Sequence, residues 1–249
     1  MPLETIEIPR LTIQVRGPMH IGTGFARGLV NRTVVKGRDG LVYIPGSALK
    51  GKVRSACEAL ACLYKLGECN APHPQQMAAD HNKCLVCRIF GAPGRGSSLR
   101  WQAAHLTKDW VDALRPEPKK RSAWGQTTTR TQVQLSRTRG LAAEARLFTS
   151  EFTAEGLTFE AEPALTGRLW LTPLGAVEGS GAVYYELILL LAGLKLVGTL
   201  GGGSSRGAGE CTITLPDTVT VGGQQIQVDH QLEHIGMLDL YPEETEVQP

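Results

Sequence analysis

The stretch "LVYIPGSALKGKVRSACEALACLYKL" (residues 41–66) decides the fold, because strand, turn and helix follow one another in a single run. "LVYIP" is a short β-branched and aromatic segment closed by a proline, as a strand should be. Gly46 and Ser47 read as the turn and the N-cap of a helix. Leu49, Val53, Cys57 and Leu60 then recur at helical spacing. The same stretch lies within one residue of a nucleotide-binding loop: Gly46, four residues, Gly51, Lys52, and then a valine. Such a loop needs a Ser or Thr hydroxyl on Mg²⁺ at that last position, and Val53 has none. No apolar run ending in Asp follows to supply a second magnesium ligand, so an NTPase is excluded. Lys50, Lys52 and Arg54 remain, as an ordinary solvated basic face or as contacts to some other phosphate.

With 249 residues, 42% hydrophobic and 20% charged, the chain can bury one sizeable core, which points to one elaborated domain. A net charge of +2 does not announce a nucleic-acid binder, so any basic surface is local. Met1-Pro-Leu-Glu-Thr lacks the basic start and apolar centre of a signal peptide. The apolar stretch "AVYYELILLLAGLKLVGTL" carries Glu186, Lys195 and glycines, and is expected to be a buried helix and not a membrane span. Six cysteines in a long chain without a secretion signal imply a reducing, cytoplasmic compartment and no disulfide scaffold.

Residues 4–16 alternate as a half-buried strand, and "GPMHIGTGFARG" breaks into a glycine-rich loop. "LVNRTVVKG" is extended. A polar, irregular insertion spans about residues 67–98, and "SSLRWQAAHLTKDW" resumes as a strand. Residues 113–140 hold Arg115, Lys119, Lys120, Arg121, Arg130, Arg137 and Arg139 against one acid, Glu117, and lack a core periodicity; they are expected to project as a loop or hairpin. "ARLFTSEFTAEGLTFEAEPALTGRLWL" reads as two strands joined at Glu155-Gly156, followed by a helix over about 181–197, the loop "GTLGGGSSRGAGE" and a last strand "CTITLP". The tail after residue 215 is expected to pack loosely or be partly disordered. This order implies an α+β fold of the ferredoxin-like type, one antiparallel sheet with helices on one face.

Cys69, His73, His81, Cys84 and Cys87 fall within nineteen residues. Cys84 and Cys87 form a C-x-x-C and His81 an H-x-x-C with the first of them, so three N/S ligands converge by a tight turn. A closed tetrahedral zinc site needs a fourth. Cys69 is the first candidate, His73 the next, with Cys57 and Cys62 also open. Zinc would order an insertion that lacks large apolar residues, which makes the expected site structural. Cys211 reads as core.

These pieces together resemble a known family. "MHIGTG", "YIPGSALKGKVRSACEAL", "CLVCRIFGAPG", "RTQVQLSRTRGLAAEARLFTSEFTAEGLTFEAE" and "LGGGSSRGAGECTI", in that order over about residues 5–215, resemble the RAMP superfamily of CRISPR RNA-binding proteins, and within it the backbone subunits of type III effector complexes. The resemblance implies a ferredoxin-like (RRM-like) palm over residues 1–215, with the zinc insertion at about 67–98, a β-hairpin thumb at about 113–140, and a C-terminal extension over 216–249. It implies a CRISPR guide RNA, a complementary target RNA and other subunits, copies or paralogues of this one, as partners; no membrane is expected. Ser47, Lys50, Lys52 and Arg54 would hold guide phosphates at a helix N-terminus. Gly202, Gly203, Ser204, Ser205 and Arg206 would let backbone and a guanidinium approach a phosphodiester. Arg130, Arg137 and Arg139 belong to the thumb, with Trp124 at a stacking tip, and His20 faces the same groove.

In that family an Asp before the "IPGS" motif cuts target RNA with a divalent metal such as magnesium. Matching "TVVK" to its pattern puts Asn31 in that position. An amide neither binds the metal nor deprotonates a ribose 2′-hydroxyl, so cleavage is expected to be absent. Asp39 is a poorer substitute, because Asp-Gly in "KGRDGLVY" is the chemistry of a hairpin turn. Two alternatives stand beside this reading: a monomeric CRISPR-repeat-processing endoribonuclease with His20 as the lone catalytic candidate, and a zinc-containing RNA-binding module.

Overall fold

The computed structural model describes residues 2–66, 69, 73, 75, 77, 80–114, 125–136, 138–175 and 182–242. Along the chain its elements are β1 (Leu3–Ile8), β2 (Leu11–Val15), β3 (Tyr43–Ile44), α1 (Gly46–Leu63), α2 (Leu85–Phe90), β4 (Leu99–Trp101), β5 (Ala104–Leu106), α3 (Lys108–Leu114), β6 (Thr127–Leu135), β7 (Ala142–Thr153), β8 (Thr158–Ala161), β9 (Leu165–Trp170), α4 (Tyr185–Leu196), β10 (Cys211–Thr214), β11 (Thr218–Val221), β12 (Gln224–Gln227) and α5 (Val228–Glu233). The fold is α+β with antiparallel sheets.

Where the sequence led to one sheet, there are two of five strands, ordered β12-β11-β1-β9-β4 and β10-β2-β8-β5-β3, and a ribbon of β6 and β7. The division has a local cause. β1 runs into β2 across Pro9, and β8 runs into β9 across Pro163. Neither proline has an N–H for a ladder, so the sheet parts along that line. Backbone bonds from Ala164 N to Ile8 O and from Gln102 N to Ala164 O, both 3.0 Å, hold the junction together.

Leu49, Val53, Cys57 and Leu60 of α1 are all buried, so the position that spoils the nucleotide loop, Val53, is a core residue. The helix starts two residues earlier than expected. Pro45, not Ser47, is the N-cap, and no side chain caps it. Gly46 is needed for packing: a Cβ there would collide with the carbonyl of Trp101. On α4 every residue from Tyr185 to Leu194 is buried, as suits a helix apolar all round. Among the described residues no helix is long and apolar enough to cross a membrane.

The C-terminal segment corrects a second expectation. Residues 218–227 form the hairpin β11–β12, and β11 pairs with β1 at the register Ile6 with Val221. Val219, Val221, Val228 and Leu238 are buried against the rest of the core. The alternation "TVTV", the turn Gly222-Gly223 and the run "QQIQ" are a hairpin pattern that the acidic residues beyond it obscured.

Candidate functional site

The ribbon β6–β7 pairs Arg130 with Ser150, Gln132 with Phe148 and Thr128 with Phe152, so these side chains share one face. That face closes a cleft of about 150 Å³ whose other walls are His20, Arg32 and the glycine loop at Gly202, Gly203 and Arg206. Among the described residues, three guanidinium groups and no carboxylate line it. Arg32 lies 4.7 Å over the Phe148 ring and Arg130 5.5 Å over that of Phe152, an arrangement that orders cations beside flat apolar surfaces. Arg130 also meets Glu155 at 3.7 Å, a loose and exposed pair that leaves its charge largely available.

The cleft has a firm floor. Met19 and Thr153 exchange backbone and hydroxyl bonds of 2.8 and 3.0 Å. His20 Nδ1 is 2.6 Å from the carbonyl oxygen of Glu151, which can only accept, so Nδ1 carries the proton and Nε2 is the nitrogen left for other contacts. Gly202 N donates to His20 O at 2.8 Å, and a Cβ on Gly201 would strike that same carbonyl, so the loop depends on glycine to lie against residue 20. Ser204, Ser205 and Arg206 form an exposed 3-10 turn between Gly203 and Gly207. Glu151 anchors the opposite side: it accepts from Lys36 Nζ at 2.6 Å and from Val34 N at 3.0 Å. Burial works to raise its pKa, but these bonds, one from Thr127 and the Lys36 charge outweigh it and hold the carboxyl below the ordinary value.

Asn31 is pinned to the base of this ribbon. Its backbone N–H donates to Thr149 O at 2.9 Å and its Oδ1 accepts from Thr149 N at 2.8 Å. Its chain neighbour Arg32 and Thr149's neighbour Ser150 both line the cleft. Asp39 accepts from Leu41 N at 3.0 Å within its own turn.

The cleft therefore gathers His20, Arg130, Gly202, Gly203 and Arg206 of the residues singled out from sequence, with Ser204 and Ser205 alongside. It adds Arg32, Gln132, Ser150 and Phe152, which were not singled out. Arg139 sits in the turn at the far end of the ribbon, its N–H on Ser136 Oγ at 3.3 Å. Trp124 and Arg137 lie outside the described residues. Ser47, Lys50, Lys52 and Arg54 are on α1 and do not line the cleft. Lys52 is within electrostatic reach of Cys211, the first residue after the glycine loop. Lys50 is pulled below its ordinary value by burial and then by Arg54. Arg54 is engaged inside the protein, through Glu58 at 2.9 Å and Gly91 O at 3.0 Å.

A second cluster lies in the insertion. The sulfurs of Cys69, Cys84 and Cys87 are buried and lie within 4.8 Å of one another, a set that can hold a metal ion. Cys69 and Cys87 are 3.3 Å apart and His81 Nδ1 is 3.5 Å from Cys87 Sγ. A tetrahedral zinc with bonds of about 2.0–2.3 Å has edges of roughly 3.3–3.8 Å, which the Cys69–Cys87 spacing matches; His81 stands beside Cys87 but outside the group formed by the three sulfurs. The Cys84 thiol is drawn below its ordinary value, first by a hydrogen bond with Cys87, against burial and with help from backbone N–H groups. Cys57 takes no part: it donates to Leu189 O between α1 and α4, and burial pushes its thiol up. Cys62 and His73 are exposed and outside the cluster.

The model of the RAMP superfamily matches residues 12–212 of this chain. The chain is similar to the CRISPR system Cms endoribonuclease Csm3 of Methanocaldococcus jannaschii, 27% identical over 155 residues, which is 60% of this chain and 58% of that protein. The alignment thus spans less than two thirds of the relative's length.

Proposed function

The chain belongs to the RAMP superfamily, and from that premise we propose that it is a guide-RNA-binding backbone subunit of a type III CRISPR effector complex. In this reading the strand order β10-β2-β8-β5, with α1 and α4 as its crossovers, is the ferredoxin-like palm, the β6–β7 ribbon, which runs on past the expected residues 113–140 to Thr153, is the thumb, and residues 216–249 extend a single domain of residues 1–215. One observation carries it: the cleft at the thumb's base, which brings Arg32, Arg130 and Arg206 together with no carboxylate among its described lining residues. Such a site holds phosphates by charge and backbone, leaving sequence to base pairing with the target. Ser47, Lys50 and Lys52 on α1, and Arg139, Arg137 and Trp124 of the thumb, extend the contact. Copies or paralogues of the subunit continue it along the guide. Cys69, His81, Cys84 and Cys87 hold a structural zinc.

Target cleavage in this family requires a carboxylate where this chain has Asn31. Its Oδ1 bond to Thr149 N is one that an Asp would keep, with the second oxygen free for a divalent metal such as magnesium. The chain as it stands therefore binds guide and target without cutting. The test assembles the complex with Asn31 and with Asn31→Asp and follows labelled target RNA with magnesium. Regularly spaced fragments from Asn31→Asp alone are expected. Equal cleavage by both moves the chemistry elsewhere, and cleavage of repeat RNA by the lone subunit would favour a repeat-processing enzyme centred on His20.

A further inference from the structure

Arg54 has three donor arms and the protein visibly uses two. Nε meets Glu58 one turn along α1, and Nη1 meets the carbonyl of Gly91, whose own N–H closes α2 on Cys87 O at 2.8 Å. Nη2 is buried, and among the described residues it has no hydrogen-bond partner. A buried N–H of this kind is costly unless something negative lies beside it. Cys69 and Cys87 are near enough to bear electrostatically on the guanidinium. When the three thiolates surround a divalent metal, the assembly carries one net negative charge in a buried place, and Glu58 adds another nearby.

We propose that Arg54 is a positioning residue of the metal–thiolate cluster: its third arm faces the thiolates and compensates their charge, while Nη1 braces α1 against the end of the ligand-bearing helix α2 and Nε holds the guanidinium in place through Glu58 on α1 itself. It thereby serves the metal centre and not the RNA. This rests on the cluster binding a metal, and it reassigns a residue whose spacing with Lys50 and Lys52 made it look like a phosphate contact. Arginine suits the place because its planar fork reaches three directions at once, which a lysine does not.

The experiment titrates metal-free protein with Co²⁺, reading the cobalt–thiolate absorption bands, and then displaces cobalt with zinc. Groups that support metal ligands typically contribute 10–100-fold to affinity, so Arg54→Met should weaken zinc binding by about that factor and Arg54→Lys by less. Glu58→Gln should not weaken it, since it frees Arg54 for the thiolates; a merely structural Arg54–Glu58 pair would make the two variants equal. Zinc-saturated Arg54→Met should bind guide RNA as the parent does. If the parent shows no cobalt–thiolate bands, the metal reading fails and this proposal with it. If Arg54→Met keeps the parent's zinc affinity, or loses RNA affinity while keeping zinc, only the proposal fails. Circular dichroism checks the fold of each variant, and where Arg54→Met does not fold, Arg54→Lys carries the comparison.

Discussion

Glu151 shows how one residue fixes the geometry of the cleft. Its backbone carbonyl sets the His20 tautomer, its N–H bonds to Arg32 O at 2.8 Å, and its carboxylate holds Lys36 and Val34 N. Its folded pKa lies below the ordinary value of 4.5. The sign follows from linkage: a depressed carboxyl stabilises the fold at pH above its unfolded value, and that contribution is lost as pH falls through the lowered folded value. Glu151→Gln keeps an acceptor for Val34 N but loses the charge opposite Lys36. It should cost about 1–3 kcal/mol at neutral pH. Urea midpoints of the two proteins should converge as the pH drops below the usual carboxyl range. A gap that stays constant with pH would show that the ionised carboxylate is not what Lys36 and Val34 require.

At the level of elements, local pattern revealed what local pattern determines. Leu49, Val53, Cys57 and Leu60 of α1 repeat over about three turns, and all four are core. The glycine loop after α4 and the Asp39 turn were readable because their backbones dictate their residues. The cleft was half legible: Arg130 and Gln132 alternate on one strand, yet Phe148 and Phe152 join them through the register of β7, and Arg32 arrives by a parallel bridge to Ser150. Such pairings are non-local, and period-2 alternation does not name a partner. The cysteine cluster was legible in Cys84 and Cys87, whereas the exclusion of Cys57 required knowing that α4 packs over it. The C-terminal segment was misjudged on composition although Gly222-Gly223 marked a hairpin. Leu238 tests the corrected view: it is fully buried in a stretch expected to be loose. Leu238→Ala should cost about 2–5 kcal/mol, read as a fall in the urea midpoint at unchanged slope. A loosely packed tail would give almost no change.

The whole molecule converges on a buried ion pair that takes no part in lining the cleft. Arg88 on α2 meets Glu186 on α4 at 2.6 Å, with side chains 2% and 0% exposed. The same guanidinium donates to Thr172 Oγ1 at 3.0 Å, to Tyr241 Oη at 2.7 Å and to Trp170 O at 2.9 Å, while Glu186 accepts from Thr172 N at 2.7 Å. The cysteine-bearing insertion, the central helix, the end of β9 and the C-terminal segment thus meet at one charged centre. Burial pushes the Glu186 carboxyl up, and Arg88 works against it. A pair of this kind contributes little by itself compared with an apolar replacement, but an orphaned partner is expensive. Arg88→Met should therefore destabilise the fold by about 3–5 kcal/mol and drive Glu186 to take up a proton. Adding Glu186→Gln keeps an acceptor for Thr172 N and removes the unpaired charge, so the double variant should recover part of the loss. Urea denaturation of the two single variants, the double and the parent closes the cycle. A double variant no more stable than Arg88→Met would mean that the lost donors to Tyr241, Trp170 and Thr172, and not the uncompensated carboxylate, account for the damage.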